Sequence, residues 1–164
     1  MGGGKVDLLD RLLGYDAWAT NQFLELSRGL SEAQLDQPFD IGLQTLRTTF
    51  EHPIFNIEAW TAMMAGQPLA VSRHDHSLTV LIDRHDRAAA TFATFARQAQ
   101  SAQRLDAVFV DDAGSRQTLG GTIVHVLAHN VEHRSEARHI LARLGVADLP
   151  DVYPQEWEHA IQAV

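Results

Sequence analysis

A chain of 164 residues, 45% hydrophobic and 21% charged, has enough apolar material for one packed core and excludes a disordered or fibrous protein, so a single domain over 1–164 is the expectation. Its formal charge of -8, without a local lysine and arginine cluster, argues against nucleic acid or anionic lipid as partners. The absence of cysteine leaves histidine and carboxylates as the only strong metal ligands. No apolar run approaches the roughly 18 residues of a membrane span or the core of a signal peptide, and the expected setting is cytoplasmic.

After a glycine run at residues 2–4, read as a flexible start outside the fold, the first long helix is predicted over 5–28. Leu8, Leu9, Leu12, Leu13, Trp18, Phe23 and Leu26 recur there at helical spacing, interrupted only by Gly14. Ser31 and Gln34 have the form of a capping box, which predicts a short turn of helix in the connection that follows. A second long helix is predicted over 43–65 and contains Pro53, which lacks an amide hydrogen and should bend it after His52. Ser77 is placed to cap a third, over 78–100, with Leu81, Ile82, Phe92 and Phe95 on its buried side. The stretch "AVFVDDAGSRQTL" alternates around an Asp-Asp-Ala-Gly turn and reads as a small β-hairpin or an irregular crossover. The fourth long helix, over 119–144, stops at Gly145, and a short terminal helix follows with Pro154 in its first turn. Four long amphipathic segments with little strand signal make an all-α four-helix bundle.

The fourth helix carries "HVLAHNVEHR", residues 125–134, where His125, His129 and His133 stand four apart and form one stripe. Thr122, Val126, His129, His133, Ala137, Ile140 and Leu144 alternate in steps of three and four, the spacing of a seam that packs into a core. Two histidines thus occupy seats suited to leucine, and an unsatisfied buried polar group costs about 1–3 kcal/mol. The second helix supplies a facing partner. His52 shares a side with Thr45, Thr49, Asn56, Ala59 and Met63, mostly small or polar residues that line a cavity instead of filling it. If the two helices are neighbours, His52, His129 and His133 surround one divalent cation. Zinc is the first expectation, and nickel or iron suits imidazole as well. Three nitrogens leave a coordination position for water or substrate, the arrangement of a catalytic centre.

The remaining histidines have blander readings. His125 is a supporting or surface group at the edge of the stripe, and His74 and His76 lie in an exposed loop. His85, His139 and His159 are ordinary exposed or half-buried residues. Glu132 and Glu136 read as a solvated face near Arg134 and Arg138, while Glu58 and Trp60 could wall the pocket, although tryptophan there is more often core.

Taken together, "LLGYDAWATNQFL", "TLRTTFEHPIFNIEAW", "GTIVHVLAHNVEHRSEARHILARLG" and "LPDVYPQEWEHA" resemble the DinB-like superfamily over nearly the whole chain. The resemblance implies an up-down-down-up four-helix bundle, often homodimeric, with a divalent metal held by His52, His129 and His133. The family commonly continues His-Arg-Gly-Gln after the last ligand. This chain keeps His133-Arg134 but has Ser135-Glu136, carries Glu132 where a second histidine is frequent, and places Pro53 where proline is unusual. Relatives include thiol S-transferases using low-molecular-weight thiols, and maleylpyruvate isomerase. The functional expectation is a metal-dependent enzyme on a small-molecule substrate, of the thiol S-transferase type. The alternatives are a non-catalytic metal-binding or stress-response module and a metal-dependent hydrolase.

Overall fold

The computed structural model describes residues 6–71 and 76–162; the glycine run at 2–4 and His74 lie outside them. Four long helices, α1 (Leu8–Leu26), α3 (Leu46–Ala65), α4 (Leu78–Ser101) and α5 (Leu119–Arg143), form the bundle. A short α2 (Glu32–Leu35) interrupts the first connection, and α6 (Pro154–Gln162) closes the described chain. Local chemistry sets the ends. The Asp10 amide donates to the Asp7 carboxylate at the start of α1, Ser31 and Gln34 form the expected capping box on α2, and Ser77 caps α4. Thr45 and Thr48 make a second capping box on α3, so that helix begins three residues later than periodicity alone suggests. Beyond α5, Gly145 adopts a φ of 79°, the left-handed conformation suited to a helix C-terminus. The chain runs through Pro53 without a break in α3, and the proline ring is buried.

The topology is the expected up-down-down-up arrangement. Both α3 and α1 pack against α4 and α5, which puts α1 and α3 on a diagonal and gives α5 two packed flanks. The alternating segment between α4 and α5 is a true hairpin. Its strands, β1 (Val108–Val110) and β2 (Arg116–Thr118), are antiparallel, with Val108 opposite Thr118 and Val110 opposite Arg116. Helix α6 docks on α1 through Trp157, whose indole occupies the space that a Cβ on Gly14 would need. Gly14 therefore lets two elements approach closely where periodicity shows only an interruption.

Two apolar clusters fill the bundle. Phe23, Leu24, Leu46, Phe50, Ile54, Leu81, Ile140 and Leu141 belong to one; Leu13, Ile57, Phe92, Leu119, Ile123 and Val126 belong to the other. On three of the four helices a polar layer falls between them: Asp16 and Thr20 on α1, His85 on α4, and Asn130, His133 and Arg134 on α5, all buried. Arg134 Nη1 pairs with Asp16 and donates to Thr20 Oγ1 at 3.1 Å, while Asn130 Nδ2 donates to the other Asp16 oxygen at 2.7 Å. The expectation that Arg134 lies on a solvated face is overturned, because the α1 flank of α5 covers it. His85 is likewise only 1% exposed, contrary to its sequence reading.

Candidate metal centre

The histidine seam is buried where the alternating spacing requires it, at Thr122, Val126, His133, Ala137 and Ile140. His129 is half-buried and His133 buried, one turn apart on the α3 flank of α5. His52 comes from α3 and is exposed, so the centre sits at the open edge of the α3 and α5 groove and not deep in the bundle. Its level along the helices is that of the polar layer.

The three rings converge through matching atoms. His52 Nε2 and His133 Nε2 each lie 3.2 Å from His129 Nε2, and all three ligand atoms fall within 4.8 Å of one another. A cation bound tetrahedrally at about 2.0–2.1 Å sets its nitrogen donors about 3.3 Å apart, so this donor set fits one divalent ion. The cluster could hold a metal ion, and among the described residues no fourth histidine or acidic side chain joins it.

Electrostatics favours the neutral form, the one a metal needs, at His129 and His52. Burial, then the neighbouring His133, His52 and His125 rings, push the His129 pKa down to about 4. The His52 pKa is lowered by desolvation and by His133, against an opposing contribution from Glu136. Neutral imidazole with a free lone pair is the ligating species.

Ring orientation depends on the other nitrogens. His133 Nδ1 lies 2.7 Å from Glu136 Oε2, and a carboxylate can only accept, so His133 carries its proton on Nδ1 and directs the Nε2 lone pair into the cluster. Glu136 is therefore half-buried against the site, not on the solvated face that its sequence reading gives. Its spacing of three after His133 is the signal that pairs the two on one helix face. Asn56 Nδ2 lies 3.2 Å from His129 Nδ1; an amide nitrogen only donates, so His129 takes the same tautomer as His133 only with the Asn56 amide turned over to present its oxygen.

The other candidates disperse. His125 is exposed, its ring centroid 5.8 Å from that of His129 and 5.7 Å from the Trp60 ring; Trp60 also meets Phe109 of the hairpin. Trp60 is half-buried and meets His125, one helical turn before His129, whereas Glu58 is held by Arg84 at 2.7 Å. His76 is half-buried 3.0 Å from Glu51, instead of solvated as expected, and His139 and His159 are exposed. The burial of His85 was legible, since Leu81, His85, Ala88, Phe92, Ala96 and Ala99 repeat the spacing that marks the α5 seam.

A helical bundle with three histidines gathered between two of its helices defines a class of protein with a candidate metal centre. The model of the DinB family matches residues 5–163, and the chain belongs to that family. A crystal structure of a DinB-like protein from Bacillus cereus ATCC 10987 is similar at a TM-score of 0.67 and 18% identity, covering 85% of this chain and 91% of that one, which supports the fold. No curated protein matches the chain.

Proposed function

We propose that His52, His129 and His133 bind a divalent cation, zinc first, and that the protein is a metal-dependent enzyme acting on a small-molecule substrate, of the thiol S-transferase type. The observation that carries this reading is the convergence of three histidine nitrogens within 4.8 Å of one another, two of the separations being 3.2 Å, close to what a tetrahedral ion requires. A cation held there supplies Lewis acidity that draws the pKa of a thiol or water toward neutrality, which suits a chain without cysteine. Glu136 holds the His133 ring in the ligating tautomer, and the exposure of His52 leaves the groove accessible from outside. Trp60 meets Phe109 and His125 edge-to-face, and these rings offer apolar contact to the body of a substrate.

Isothermal titration of chelator-stripped protein with zinc at neutral pH tests the binding step. One site per chain is expected, lost in His129→Ala; no binding by the wild type, or equal binding by the variant, refutes it. Offering the zinc-loaded protein low-molecular-weight thiols with an electrophile, and simple esters, separates transfer from hydrolysis. Turnover of neither places the cluster in a non-catalytic binding module. The homodimer that the resemblance implies is also carried as a proposal. Its support lies on α1 and α5, where Leu8, Leu12, Val124 and Val131 are exposed; the apolar side chains Leu81, Ile82 and Phe92 of α4 are core.

A further inference from the structure

The connection before α3 contains a tight turn whose backbone lies directly on the centre's carboxylate. Gly42 has a φ of 45°, and a Cβ built on it falls under 3.0 Å from the Glu136 carboxyl carbon and both oxygens. The neighbour it meets is the group that accepts from His133, so a side chain at 42 and the observed position of Glu136 exclude each other.

The turn has little freedom to retreat. The Gln44 amide donates to the Ile41 carbonyl at 2.8 Å, and the Phe39 amide donates to the Gln44 carbonyl at 2.8 Å. Thr48 Oγ1, in the first turn of α3, donates to the Leu43 carbonyl at 2.6 Å. On the other side Asp40 pairs with Arg143 of α5, and that guanidinium stands over the Phe39 ring, 4.9 Å from its centroid. The loop is thus pinned to both helices that carry the histidines.

We propose that the Gly42 turn is the wall that holds the Glu136 carboxylate against His133, making Gly42 and Glu136 a coupled pair of positioning residues that sets the affinity of the histidine cluster for its cation. The proposal rests on the reading of the cluster as a metal centre. An amide at position 136 can turn either its oxygen or its nitrogen toward Nδ1 and so permits both tautomers, whereas a carboxylate permits only Nδ1–H. Glutamate gives the stricter acceptor, provided that a wall without a side chain leaves room for both oxygens and stops the flexible side chain from swinging away.

A double-mutant cycle over Gly42→Ala and Glu136→Ala, read by zinc titration at one pH, tests the coupling. Glu136→Ala is expected to weaken zinc binding by about 10–100-fold, the usual effect of losing a partner of a ligating histidine. Gly42→Ala should weaken it at least about fivefold in the wild-type background and by less than about twofold when residue 136 is already alanine, because the short side chain clears the new Cβ. Backbone strain at a positive φ lowers the melting temperature in both backgrounds and does not reproduce that pattern. An unchanged zinc affinity in Gly42→Ala, or an equal loss in both backgrounds, overturns the proposal. The ring nitrogens of His133, observed by NMR in metal-free protein at alkaline pH, give a readout independent of the cation. Nδ1–H is expected in the wild type and a mixture of tautomers in Gly42→Ala and in the size-preserving Glu136→Gln. A pure Nδ1–H form in all three also overturns the coupling. If the wild type binds no zinc but the tautomers shift as stated, the metal reading fails while the coupling stands.

Discussion

Replacing Arg134 by alanine takes a guanidinium out of the polar layer and leaves Asp16 with a carboxylate 5% exposed. In the intact protein Arg134 Nη1 contacts Asp16, donates to Thr20 Oγ1, and the guanidinium lies over the Tyr15 ring, 5.2 Å from its centroid. After truncation the carboxylate keeps only the bond from Asn130 Nδ2 among those described. Removing one partner of a buried pair costs about 3–5 kcal/mol, and a chain of this length loses about 2–4 °C per kcal/mol, so a fall in Tm of about 6–20 °C is expected. Urea denaturation of metal-free protein, followed by circular dichroism, gives the energy directly. Arg143→Ala is the control, because its pair with Asp40 is exposed and its loss leaves no buried charge. The apolar double variant Asp16→Leu with Arg134→Leu should recover most of the loss, since it strands no charge. Equal losses in Arg134→Ala and Arg143→Ala, or a double variant whose loss equals the sum of its singles, would refute the assignment of the layer as a desolvated ion pair.

Three further outcomes follow from the same geometry. In the folded metal-free protein the His129 pKa is about 4, against 6.5 for an ordinary histidine, so the unfolded chain binds more protons between those values. Stability is then expected to fall as pH drops through that window, with the lowered pKa values of His52 and buried His85 acting in the same direction; urea midpoints from pH 7.5 to 4.5 should decline less steeply in His129→Ala, and an identical slope would contradict the assignment. Gly14→Ala drives a Cβ into Trp157 and should undock α6, red-shifting the emission of that tryptophan in a Trp18→Phe, Trp60→Phe background; global stability should change by less than about 1 kcal/mol, because the gain in helix propensity offsets part of the loss. If the chain self-associates through α1 and α5, Val131→Glu converts the dimer to monomer in sedimentation, whereas an unchanged dimer removes that face from consideration.

The main helices and the meeting of the three histidines were legible because each depends on spacing within one helix and on a single question of adjacency. Positions 122, 126, 133, 137 and 140 are buried as a seam must be, and the one histidine on α3 meets those on α5 once the two helices are neighbours. What periodicity does not give is how wide the buried arc of a helix is. Helix α5 packs on α3 along one flank and on α1 along the other, so the arc includes Arg134, about 100° around the axis from His133. A seam one residue wide leaves Arg134 outside, and only the diagonal placement of α1 and α3 brings Asp16 to it. Glu136 escaped for a different reason. Its distance along the chain from His133 was plain, but whether a glutamate at the rim of a groove is solvated depends on what covers it. The cover is a turn some ninety residues earlier, with a glycine at its point of contact. Local pattern therefore identifies the candidate donors, whereas the buried Arg134–Asp16 pair and the glycine turn against Glu136 arise from contacts between segments far apart in the chain. Such contacts carry no period, and they are the places where a substitution distant in sequence acts on the histidines.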